Sequence, residues 1–91
     1  VRFNASADSV VKNRRLARMA RAMGLADGDA IPDAIRAMNA RLGLPTGLAA
    51  MGVEPAMFDR IVSGALADHC HKTNPRIASR EDDREMLEAS M

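Results

Sequence analysis

Apolar residues recur along this chain at spacings of three and four, and sustained alternation occurs nowhere. That pattern predicts helices and no sheet. Leu16, Met19, Ala20 and Met23 stripe one face of a helix predicted over residues 8–23. Ser6 or Asp8 would cap it, and Gly24 stands where a left-handed residue closes a helix. A second helix is predicted over 30–42, with Asp29 as cap and Pro32 in its first turn. Ile31, Ala34, Ile35, Met38 and Leu42 form its apolar face, Gly43 ends it, and Pro45 prevents resumption. A short helical turn fits 46–51, with Leu48 and Met51 inward and Gly52 after it. Glu54-Pro55 opens the third long helix, in which Phe58, Ile61, Val62, Ala65, Leu66 and His69 share a face. Gly64, inside that helix, is expected to mark a close approach by another helix. Residues 72–76 break it. Ser79 starts the last helix with a capping box closed by Asp82, and Met86 and Leu87 point inward. The fold class is therefore all-α: four main helices plus one short helical turn, with no internal repeat and no domain boundary inside the chain.

Composition changes this picture in one respect. Of the 91 residues 17 are Ala and seven Met, against 18 for Leu, Ile, Val and Phe together. Ala buries little apolar area at about 25 cal/mol per Å². Such a core is thin, so the helices need close packing or a neighbour to lean on. Met19, Met23, Met38, Met51, Met57 and Met86 are expected to fill gaps in it, because thioethers adapt to irregular packing. The chain starts with Val1, and the expectation is a segment excised from a larger polypeptide.

Charge mostly excludes. A formal net charge of +1 argues against a strongly basic nucleic-acid binder. Six of the first 21 residues are basic, but no aromatic residues interleave with them, and a solvated face, or one paired with the acidic last helix, is the simpler reading. No apolar run approaches the ~20 residues that cross a bilayer. One cysteine permits no internal disulfide, and residues 1–10 hold no apolar secretory stretch; a reducing, cytoplasmic setting is expected.

The densest chemistry lies at His69-Cys70-His71. Consecutive residues of an α-helix diverge by about 100° each, and no other Cys or His exists in the chain. An autonomous metal site is therefore not expected. The plain alternative is a helix end where His meets free carbonyl groups. A further reading places Cys70 or His71 in a cleft shared with other sequence. Asn74-Pro75-Arg76 reads as a rigid corner tied by an ion pair, since Asn closes local turns, Pro fixes φ and Arg grips carboxylates. Catalytic triads, paired catalytic carboxylates and glycine-rich phosphate loops are missing from the sequence.

Taken in order, several strings resemble the C-terminal end of the iron-containing (group III) alcohol dehydrogenases. These are Val1-Arg2-Phe3-Asn4; Gly43-Leu44-Pro45 with Leu48 and Met51-Gly52-Val53; Ala65 to Cys70 through Asn74-Pro75-Arg76; and Ser79 to Leu87. The resemblance covers the whole chain. It implies an oxidoreductase that oxidises an alcohol or reduces an aldehyde. Its N-terminal domain binds NAD or NADP, and its all-helical domain holds Fe2+, or sometimes Zn2+, through one Asp and three His. The metal would act there as a Lewis acid. Those ligands fall upstream of the matched strings, so no catalytic, metal-binding or cofactor-binding residue is carried onto this chain, and by itself it is expected to be inactive. Cys70 matches a position lining the substrate cleft. The implied partners are the nucleotide-binding domain and the metal-bearing helices of the parent, with a homo-oligomer possible and neither nucleic acid nor membrane involved. A maleylacetate reductase-like enzyme of the same superfamily, and a stand-alone helical interaction module, are the alternatives.

Overall fold

A computed structural model describes residues 1–91, and it contains helices and turns but no strand. The chain divides into two compact units, Val1–Leu44 and Pro45–Met91.

In the first unit a 3₁₀ turn, Arg2–Asn4, precedes α1 (Asp8–Lys12) and α2 (Arg15–Ala22). The single helix expected over 8–23 is thus two. Arg14 between them is left-handed, at φ 48° and ψ 40°, a conformation costing a non-glycine residue about 1 kcal/mol. Asn13 supplies the physical reason. Its Nδ2 donates to the Ser9 carbonyl at 2.8 Å, and Arg14 N–H turns back to Val11 O at 3.0 Å. An Asn side chain that competes for main-chain acceptors favours a turn over a continuing helix. Neither Ser6 nor Asp8 caps α1; Ala7 holds that position without a side-chain bond.

Gly24 and Gly43 have φ of +71° and +67°, the left-handed closure that the sequence predicts for α2 and for α3 (Ile31–Arg41). The cap before α3 is Asp27 rather than Asp29. Its Oδ1 accepts from Asp29 N at 2.9 Å and Ala30 N at 3.1 Å, which holds the 3₁₀ turn Gly28–Ala30. That turn packs close on α2: a Cβ at Gly28 would lie 2.7 Å from Leu16 Cβ. Ala7, Val10, Ala20 and Ile31 are the buried apolar residues of this unit. Asp33 pairs with Arg2 at 3.3 Å and Arg36 at 2.7 Å, all exposed, so each pair contributes only ~0–1 kcal/mol.

The methionines depart from expectation. Met19, Met23, Met38, Met51 and Met57 are exposed, as are Leu42 and Leu44. Of the six expected inside, Met86 alone is half-buried. The apolar faces predicted for α2 and α3 do exist as sequence stripes, but each unit has too few helices to cover them.

In the second unit a 3₁₀ turn, Ala49–Met51, ends at Gly52, and another, Pro55–Met57, leads into α4 (Phe58–Ala67). Leu48 is half-buried as expected, whereas Met51 is 65% exposed. A 3₁₀ segment, His69–Thr73, follows, then α5 (Arg80–Glu88). Helices α4 and α5 pack together around Phe58 and Val62, with Ala78 also buried. The Arg84 guanidinium sits 5.9 Å from the Phe58 ring centroid and pairs with Asp59 at 3.2 Å and Glu88 at 3.3 Å. Leu48 N–H donates to Ser90 O at 2.8 Å. Beyond its own stretch of helix, nothing in the chain lies within 4 Å of where a Cβ on Gly64 would stand, so the close approach expected there is not found.

The capping box at α5 is as the sequence reads. Ser79 Oγ accepts from Asp82 N at 3.1 Å, and Asp82 Oδ2 accepts from Ser79 N at 2.8 Å and from Ser79 Oγ at 2.9 Å. The Ser79 main-chain N–H, then its hydroxyl, hold the Asp82 carboxyl below its ordinary value, and Arg76 adds to this. A depressed folded pKa stabilises above the unfolded value of about 3.9 and is lost as pH falls through the lower folded value. Acid titration below about pH 4 should therefore fray α5, read as lost helical circular dichroism. Asp82→Asn should flatten that acid dependence, while Ser79→Ala should cost about 1 kcal/mol at neutral pH.

Candidate functional site

Cys70 lies just past the end of α4. The helix stops at Ala67 because Asp68 turns extended, at φ −73° and ψ 137°. Asp68 Oδ1 accepts the Cys70 N–H at 2.7 Å, an Asp-initiated turn. His69 therefore leaves the α4 face on which the sequence reading placed it, and it is exposed. Its Nδ1 is 3.7 Å from Asp68 Oδ1 and its Nε2 is 3.4 Å from Cys70 Sγ. Thr73 Oγ1 donates to the Cys70 carbonyl at 2.9 Å.

His71 has a different task. It is half-buried, and its Nε2 lies 2.9 Å from Ala78 O. In the Nε2–H tautomer the ring donates to that carbonyl and clips the loop shut. This agrees with the plain reading of histidine meeting a carbonyl, although the acceptor lies seven residues ahead rather than at the helix end. Beyond it the corner forms as expected. Asn74 Nδ2 donates to Arg76 O at 2.6 Å, and Arg76 pairs with Asp82 at 3.2 Å. The loop after α4 is thus stitched from Asp68 to the cap of α5.

The thiol itself is exposed. Its hydrogen bond to the Asp68 carboxylate, then that group's negative charge and a little burial, push the Cys70 pKa up. At neutral pH it is a small, protonated, weakly polar side chain and a poor nucleophile. A raised thiol pKa is unsuited to a covalent step at neutral pH. Iodoacetamide should accordingly alkylate Cys70 more slowly at pH 7.5 than it does a free cysteine. The rate should climb at alkaline pH, above the ordinary thiol range near 8.5. Asp68→Asn keeps an acceptor for the turn but removes the charge, and should raise the neutral rate several-fold, measured by mass spectrometry. Asp68 is the residue that sequence reasoning passed over. The available signal was an Asp two residues before an ordered main-chain N–H, the spacing of an Asx turn.

The turn also corrects an argument made from α-helical geometry. Asp68, His69 and Cys70 do not diverge, because they are not in an α-helix, and their ligand atoms lie within 4.8 Å of one another, all exposed. Hydrogen bonding to Asp68 accounts for that closeness. The donor set implied by the resemblance, one Asp with three His, does not fit this chain. It has two histidines, and His71 is engaged with Ala78.

The chain is all helical, with a thiol turn after α4, an Asn-Pro-Arg corner and a capped final helix. It matches the Fe-containing alcohol dehydrogenase family, C-terminal, over residues 1–91, and it belongs to that family. It is 58% identical over all 91 residues to a 4-hydroxybutyrate dehydrogenase of Cupriavidus necator, covering 24% of that protein. It is also 29% identical over 90 residues to an NAD-dependent methanol dehydrogenase of Bacillus methanolicus, spanning 90% of this chain and 24% of that one. The chain thus spans about a quarter of the length of these curated relatives. No solved structure matches it. No helix is long and apolar enough to cross a membrane.

Proposed function

We propose that this chain is the C-terminal helical part of a cytoplasmic, NAD(P)- and metal-dependent alcohol dehydrogenase whose substrate is a short alcohol carrying a carboxylate. The observation that carries the reading is the 58% identity to a 4-hydroxybutyrate dehydrogenase along the full 91 residues. The metal, Fe2+ or Zn2+, and the nicotinamide belong to polypeptide outside this chain. Its partners are accordingly the nucleotide-binding domain and the metal-bearing helices, with self-association a further possibility offered by exposed Met19, Met23, Met38 and Leu42. By itself the chain has no activity. Its own contribution is mechanical. The bonded loop from Asp68 to Asp82 fixes the direction in which Cys70 is presented, and a neutral thiol there narrows the cleft without reacting.

The test is a steady-state assay of the dehydrogenase that contains this chain. NADH should form with 4-hydroxybutyrate at a kcat/KM at least tenfold above that for methanol. Saturation with cofactor and substrate should protect Cys70 from alkylation. Equal turnover of both alcohols would sink the substrate assignment, and undiminished alkylation would remove Cys70 from the cleft.

A further inference from the structure

Between α4 and α5 a groove of about 320 Å³ is lined by Leu48, Ile61, Ala65, Met86 and Leu87, with one charged residue, Asp83. The Asp83 Oδ2 atom is buried and has no hydrogen-bond partner. A buried carboxylate oxygen without a donor is costly, and pairing it relieves the cost. The arginines of α5 are engaged elsewhere: Arg80 donates to Ser63 at 3.2 Å, and Arg84 pairs with Asp59 and Glu88. The rest of the second unit supplies no donor to this atom.

We propose that this groove is the seat of a segment from the remaining dehydrogenase polypeptide, one that presents an apolar side chain beside an Arg or Lys. The apolar side chain fills the space between Ile61, Met86 and Leu87, and the basic group donates to Asp83 Oδ2. The choice of occupant rests on two observations. The carboxylate calls for a cation next to an apolar body. In the relatives, about three quarters of the polypeptide lies outside the matched stretch, since the chain covers 24% of each. The inference builds on the proposed function and names one contact within it.

The experiment uses the full dehydrogenase polypeptide and reads stability, not turnover. If Asp83 is paired by an incoming basic residue, Asp83→Leu strands that cation, and the melting temperature should fall by at least about 3 °C. Asp83→Asn, which keeps an acceptor, should recover at least half of the fall. If the oxygen is unpaired or merely hydrated, Leu is the better tenant of an apolar groove. The melting temperature then stays level or rises, which overturns the proposal. A photocrosslinking phenylalanine analogue at Ser90, on the groove rim, should join to a residue of the same polypeptide outside positions 1–91. Crosslinks within 1–91, to a second copy, or none at all would also overturn it. Absence of 4-hydroxybutyrate turnover alongside the expected melting and crosslinking results would defeat the substrate assignment and leave this contact standing.

Discussion

Replacing Phe58 with alanine should unfold the second unit. The ring is 2% exposed and is the only aromatic side chain of residues 45–91. Val62 and Ala78 are its buried apolar companions in that unit. Truncating a buried Phe costs about 3–5 kcal/mol. A unit this short, at ~0.05–0.15 kcal/mol per residue, holds only about 2–7 kcal/mol. The substitution also removes the surface over which Arg84 lies, so the Asp59 pair loses its support. The expected result is loss of amide protection throughout α4 and α5, read by hydrogen exchange. Phe58→Leu should retain most of it, because a smaller volume change costs less. Persistent protection in the alanine variant would mean that stability comes from elsewhere.

Ile31→Ala should have the next largest effect, about 2–5 kcal/mol. Ile31 is fully buried, and its buried companions in the first unit are Ala7, Val10 and Ala20. Two of those three are alanines, whose single methyl groups cannot move into the space. The cost should therefore fall in the upper half of that range. Ile31→Val should cost about 1 kcal/mol. Exchange protection of α2 and α3, followed against denaturant, checks both.

Local signals in the sequence translate well into this structure. Gly24, Gly43 and the Ser79–Asp82 box end or begin helices where they are read, because each acts on its own few neighbours. Arg14 was illegible for a related reason. The apolar stripe of Leu16, Met19, Ala20 and Met23 lies wholly after it and gives no sign of a break, and the interruption comes from one Asn side chain that a periodicity argument cannot weigh. The exposed methionines fail differently. Spacing shows which residues share a face, but whether that face is covered depends on how many other helices are present. At the candidate site the corner at Asn74-Pro75-Arg76 and its ion pair were readable. The Asp68 turn was not, because helix propensity carried the reading through to His69.

The ties between Asp68 and Asp82 share one property. Each joins residues no more than seven apart in the chain. Closing so short a loop forfeits little entropy, and contacts of low sequence separation assemble fast. The stretch is therefore held by local closure and does not depend on the long-range packing of Phe58, so Cys70 should stay oriented when that packing is weakened.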